Sequence, residues 1–127
     1  AEIALQKLGN GHELAIFAKG TALQALGKND EAREAYKKAF EVAGKFWGDM
    51  YFQLGELSLF DKDFDAAAEH FQKAAETLDK ERAPLELVAG AYQAAGKAIE
   101  KKGGRKNLDA ANALFKKASS LLEGSAS

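Results

Sequence analysis

The residues able to move protons, hold metals or grip phosphate are few and scattered along this chain. Its two histidines, His12 and His70, lie far apart, with no carboxylate or second histidine at metal-ligand spacing. Each is expected as a surface or partly buried polar residue. Asp61, Asp63 and Asp65 alternate as the first ligands of a calcium loop do. The central glycine is absent, however, and the twelfth position would be Gln72 rather than glutamate. The run is therefore read as a polar turn that caps a helix. Gly103-Gly104-Arg105-Lys106 lacks both the upstream glycine spacing and the Lys-Ser/Thr ending of a phosphate loop. Lys97, Lys101, Lys102, Arg105 and Lys106 form a basic cluster that would suit an acidic partner, although a solvated helix end is the plainer account of it. With no cysteine, disulfides and thiolate metal sites are excluded. The sequence implies no catalytic, cofactor-binding or metal site, and the chain is not expected to be an enzyme.

The elements that carry these residues are helical. Alanine, leucine, lysine and glutamate are abundant and there is one proline. Such residues lose little freedom in a helix, so the composition leans all-α. At 127 residues, 46% of them hydrophobic, the chain is large enough for one domain with its own core. No apolar run approaches the length of a membrane span. A soluble protein is expected, cytoplasmic or periplasmic, with nothing to choose between them.

The net charge of −1 is unevenly spread. Residues 1–48 carry seven basic and six acidic groups, residues 49–86 four and ten, and residues 87–127 seven and three. A field of that shape steers a charged partner toward one end. The near-neutral total argues against nucleic acid as a partner, which needs a basic footprint.

Internal repetition is the main signal. Ala32-x-x-x-Tyr36-x-x-Ala39, Ala67-x-x-x-Phe71-x-x-Ala74 and Ala111-x-x-x-Phe115-x-x-Ala118 share one spacing. Each is preceded by a glycine: Gly20 and Gly55 stand 12 residues before the first alanine, Gly96 stands 15 before it. Small residues at such positions let two antiparallel helices approach, and the aromatic fills the space toward the next pair. Tyr51-x-x-Leu54-Gly55, followed by Phe64, Ala67, Phe71 and Ala74, resembles the tetratricopeptide repeat, whose loose pattern is Trp-x-x-Leu-Gly-x-x-Tyr and then Ala-x-x-x-Phe-x-x-Ala. Tyr92-x-x-Ala95-Gly96-x-x-Ile99 is a second, weaker instance. The first unit, with Ile16 and Lys19 before Gly20, departs most from the pattern, and the family's closing proline is missing from all three.

The resemblance implies an all-α fold: a right-handed superhelical array of three helix-turn-helix pairs, forming one domain over residues 1–127, with repeats at about 13–47, 48–83 and 84–123. Helices are predicted near 12–26, 30–44, 48–60, 64–80, 84–102 and 107–123, with a short extra helix at 2–8. Gly27 before Asn29-Asp30, the Asp61–Asp63 stretch before Phe64, and Gly103-Gly104 before Asn107 supply the stops and caps. Pro84 fits a first helical turn. The glycine spacing widens from 35 residues to 41 between the second and third units, and the third inner loop is longer by three. Such extensions would reshape the groove or simply lengthen helices, and insertion in exposed connections is the plainest reading.

In tetratricopeptide proteins the first helices of successive pairs line a concave groove that holds a peptide or helix of another protein. By that resemblance, the partner-binding residues would be Phe17, Thr21 and Gln24 in the first unit. The second would supply Phe52, Gln53, Glu56, Leu59 and Phe60, with Asp49 beside them, and the third Gln93, Lys97 and Lys101, with Gly90, Ala94 and Glu100. Phe17, Phe52 and Phe60 would be the anchors, whereas Tyr36, Phe64, Phe71 and Phe115 are assigned to the core. Chaperone co-factors of this family grip a terminal carboxylate with lysine, asparagine and arginine. The matching positions here hold Phe17, Thr21, Gln53, Gly90 and Ala94, so no such clamp is expected.

The function implied is a protein–protein interaction module, an adaptor that holds a peptide or amphipathic helix of an unidentified protein. Polar residues at Phe52 and Phe60 would then weaken binding and leave the fold intact. The alternative is a self-assembling scaffold. Ala118, Leu121 and Leu122 on the last helix have no evident cap, and arrays need a polar end; a second copy (a homodimer through that helix), the chain's own N-terminal segment or a further part of a longer protein would cover them.

Overall fold

The structure is a computed structural model that describes residues 12–45 and 47–126, with side chains as far as residue 123. The helix expected at 2–8 lies outside the described residues. Six helices follow in order: α1 (His12–Ala25), α2 (Asn29–Ala43), α3 (Gly48–Phe60), α4 (Phe64–Lys80), α5 (Leu85–Lys102) and α6 (Arg105–Ala126). They fall into two compact units divided after residue 46.

In the first unit α1 packs on α2. Spacings of three and four residues put Ala32, Ala35, Tyr36 and Ala39 on one face of α2, and all four are buried. Gly20 lies beneath Tyr36: a Cβ added there would stand 2.5 Å from the ring. The helices therefore approach closely because one side carries no side chain and the other carries a flat one. Tyr36 donates from its hydroxyl to Gln24 Oε1 at 2.6 Å, which satisfies the one polar atom the ring buries.

The second unit repeats this device twice. A Cβ on Gly55 would meet the Phe71 ring at 2.7 Å, and one on Gly96 the Phe115 ring at 2.7 Å. Here α4 packs against both α3 and α5, and α5 against α6. Ala67, Ala68, Phe71, Ala95 and Ala98 form one buried cluster at this junction. Ala74, Ala75, Leu78, Val88, Ala89, Ala91, Tyr92 and Ala118 form the other. Gly48 completes the seam. Its N–H donates to both Glu81 carboxylate oxygens, at 3.3 and 3.4 Å, so the start of α3 is capped from the end of α4.

Three of the turns close in the same way. Gly27, Lys62 and Arg82 take positive φ, and the next amide reaches back to Leu23, Ser58 and Leu78 respectively, at 2.9 Å in each case. Gly27 is the expected stop. Lys62 and Arg82 occupy a region that glycine adopts more readily, and nothing in their side-chain types advertises it. Asp63 caps α4 through Ala66 N–H at 3.2 Å, as the polar-turn reading requires.

Two helix starts differ from expectation. The second helix begins at Asn29, capped by no side chain, because Lys28 carbonyl already accepts the Ala32 amide. The sixth begins at Arg105, two residues early, where Asn107 turns its side-chain amide onto the Gly103 carbonyl. The widened spacing is taken up by helix rather than by exposed connection, in line with the long ranges predicted for these two elements. The fourth and fifth helices run 17 and 18 residues against 13 for α3. The connection between α5 and α6 shrinks to Gly103 and Gly104, both at positive φ. Among the described residues no helix is long and apolar enough to cross a membrane.

Candidate functional site

The expected site residues of the first unit converge on Tyr36. The Phe17 ring is tilted against it, with centroids 5.4 Å apart, and Gln24 accepts its hydroxyl. Thr21, half-buried, turns its own hydroxyl back to the Ala18 carbonyl at 2.8 Å. Phe17 and Gln24 thus serve the packing of this pair.

Burial pushes the Tyr36 phenol from its ordinary 10.0 up to about 12. A raised folded-state pKa means that the stabilisation is complete below pH 10 and is lost as pH climbs toward 12. Helicity followed by circular dichroism in a stepped alkaline titration is therefore expected to fall in that window. The fall should be smaller in Tyr36→Phe; equal losses in the two proteins would contradict this account.

In the second unit α3 and α5 flank a trough whose floor is α4. Phe52, Glu56 and Leu59 of α3, Gln93, Ala94, Lys97 and Lys101 of α5, and Phe71 of α4 line one half, about 300 Å³ in volume. Six of the residues expected from the sequence, Phe52, Glu56, Leu59, Gln93, Lys97 and Lys101, are thereby brought together. Gln53 and Phe60 do not line it. Gln53 is half-buried elsewhere on α3, and Phe60, at the helix end, is 72% exposed.

The trough continues toward the helix N-termini. Asp49 and Phe52 of α3, Glu86, Leu87 and Gly90 of α5, and Leu78 of α4 line a second half of about 290 Å³. Phe52 and Gly90 belong to both halves. Glu86 and Leu87 were not among the expected positions. The signal was available: Leu87, Gly90, Ala94, Lys97 and Lys101 follow one another at alternating intervals of three and four, one continuous helix face. The reading began that face one turn too late.

Phe52 has two roles. Its ring lies 5.1 Å from that of Phe71, tilted by 59°, and it packs against both buried clusters while lining the trough. A polar residue there would disturb the core, so the expectation that such a change leaves the fold intact is corrected. Phe71 is fully buried, whereas Phe64 and Phe115 are half-buried. On α6, Leu121 and Leu122 are half-buried against the cluster around Val88 and Tyr92.

The scattered chemistry of the sequence resolves into structural parts. Asp65 pairs with Lys102 at 2.7 Å, an exposed bridge between the start of α4 and the end of α5. His12 is exposed and His70 half-buried, its pKa lowered by burial. Among the described residues no three acidic or histidine side chains are gathered as a metal would need.

Helix pairs packed in sequence, with an open trough between the first helices of the second unit, define a helical-repeat architecture. Residues 15–46 and 48–77 each match the tetratricopeptide repeat profile, and this stretch of the chain consists of tetratricopeptide repeats. The third pair, whose helices are lengthened, lies beyond the matched residues. The N-terminal domain of stress-induced protein-1 (STI-1) from C. elegans has a similar solved structure. It is 25% identical, with a TM-score of 0.76 over 86% of this chain and 83% of that one. No curated protein sequence matches the chain. Tetratricopeptide repeats generally mediate protein–protein interactions.

Proposed function

We propose that the chain is a non-enzymatic adaptor of three tetratricopeptide repeats that holds a peptide or helical segment of another protein between α3 and α5. One observation carries the reading: a single trough joins an aromatic and aliphatic floor (Phe52, Leu59 and Phe71) to the side chains of Gln93, Lys97 and Lys101. Convergence of apolar anchors with a few polar groups is what peptide recognition in a groove requires.

The test is selection of binders from a random displayed-peptide library, followed by titration of the best against the parent and against Lys97→Glu/Lys101→Glu. Both lysines are exposed, so the variant keeps its fold, as circular dichroism will verify. Affinity for the selected peptides is expected to fall by roughly tenfold or more. Peptides that bind parent and variant alike, or the absence of any selected binder, would sink the reading. The self-assembly alternative is weakened by the inward packing of Leu121 and Leu122. Light scattering over a concentration series tests it directly, and a dimer dispersed by Leu121→Glu would revive it.

A further inference from the structure

Among the described residues of this unit, Gly90 is a glycine that neither packing nor a positive φ explains. A Cβ on Gly48, Gly55 or Gly96 would collide with a neighbour, whereas one on Gly90 would meet nothing within 4 Å. A glycine inside a helix is unfavourable relative to alanine, and α5 carries this one in its second turn, where the two halves of the trough join. What its bare backbone provides is depth, opposite Phe52 and directly below the space a bound side chain would enter.

The trough is also ordered by charge. Its N-terminal half has Asp49 and Glu86 as its charged groups, around Phe52, Leu78 and a half-exposed Leu87. Its C-terminal half has Lys97 and Lys101, with Glu56 as the one acid among them. Asp49, Glu86, Lys97 and Lys101 form no ion pair among the described residues. Helix dipoles favour acids in first turns and bases in last turns. They do not require these four side chains to face the groove, and Lys97 stands outside the last turn.

Resting on the adaptor reading, we infer that the occupant is a segment with one large apolar side chain seated over Gly90 against Phe52, a basic residue on the side of Asp49 and Glu86, and an acidic residue on the side of Lys97 and Lys101. Charge order then selects the partner and sets its direction along the trough, and Gly90 sets the size of the anchor. Each of these exposed charges meets its opposite in such a segment, whereas a segment of single sign leaves one end repelled.

Fluorescein-labelled synthetic peptides provide the probe. One pair carries a central phenylalanine between a lysine-rich and a glutamate-rich flank, written in both chain directions. Controls replace the phenylalanine by alanine, or make both flanks acidic or both basic. Anisotropy titration of the full chain at low salt is expected to give one mixed peptide an affinity roughly tenfold or more above either single-sign control. Asp49→Lys/Glu86→Lys should transfer the preference to the all-acidic peptide. Gly90→Leu should remove the advantage of phenylalanine over alanine while the helical spectrum is unchanged. Equal binding of mixed and single-sign peptides overturns the charge order, and retention of the phenylalanine advantage in Gly90→Leu overturns the anchor. If display-selected peptides bind through Lys97 and Lys101 but follow neither rule, this inference fails and the adaptor reading stands. If no peptide binds at all, both fail.

Discussion

Phe71→Ala is expected to destabilise the second unit by about 3–5 kcal/mol, the usual loss when a buried ring becomes a cavity. Phe71 is fully buried, covers Gly55, stacks on Phe52 and anchors the cluster that joins α4 to α5. The four buried residues that share its cluster are alanines, which have no longer side chain to swing into the gap. Against a typical total of about 5–15 kcal/mol, the variant should lie near its unfolding midpoint under mild conditions. Urea unfolding followed by far-ultraviolet circular dichroism measures it. A loss under about 1 kcal/mol would mean that the ring is not the keystone described, since even modest core truncations exceed that value.

The second large effect is one of sign. Gly→Ala inside a helix ordinarily stabilises by about 1 kcal/mol, and Gly90→Ala, with open space at its Cβ, should approach that gain. Gly55→Ala is expected to do the opposite. Its methyl would lie 2.7 Å from two atoms of a ring already held by Phe52 and the alanine cluster. Overpacking of that kind costs about 1–3 kcal/mol, enough to overwhelm the propensity gain. Combining Gly55→Ala with Phe71→Leu should recover part of the loss, and the coupling energy of the cycle isolates the clash. Two alanine substitutions that both stabilise would refute the close approach on which the repeat is built.

These two glycines explain how much of the molecule could be read from the sequence. Gly55 announced itself, because the first two units hold a glycine at the same distance before an aromatic, and that distance is a packing relation. The second helix of each pair was legible for the same reason: its alanines and aromatic recur at intervals of three and four. Lys62 and Arg82 were not legible as stops. Their backbone conformation is imposed by the reach of the following amide to an exposed carbonyl, and it leaves no trace in residue type. The length of α4 and α5 was legible from their caps, whereas the place of the inserted residues was not, because an insertion has the same length as helix or as loop. At the candidate site, the downstream stretch of α5 was found by analogy, whereas Glu86 and Leu87 were missed because the familiar pattern begins after them. The dual role of Phe52 depends on its contact with Phe71, which no spacing along one helix contains.

The chain-neighbour packing of the helices also bears on how quickly the protein is made. Every extensive interface among the described helices joins consecutive ones: α1 with α2, α3 with α4, α4 with α5, α5 with α6. Closing such contacts draws together segments separated by short turns, so little chain entropy is lost before packing repays it. Folding is accordingly expected on the microsecond-to-millisecond scale typical of local helical topologies. It can nucleate at any pair and spread along the chain, so the emerging pairs can form one after another during synthesis, before the last helix leaves the ribosome.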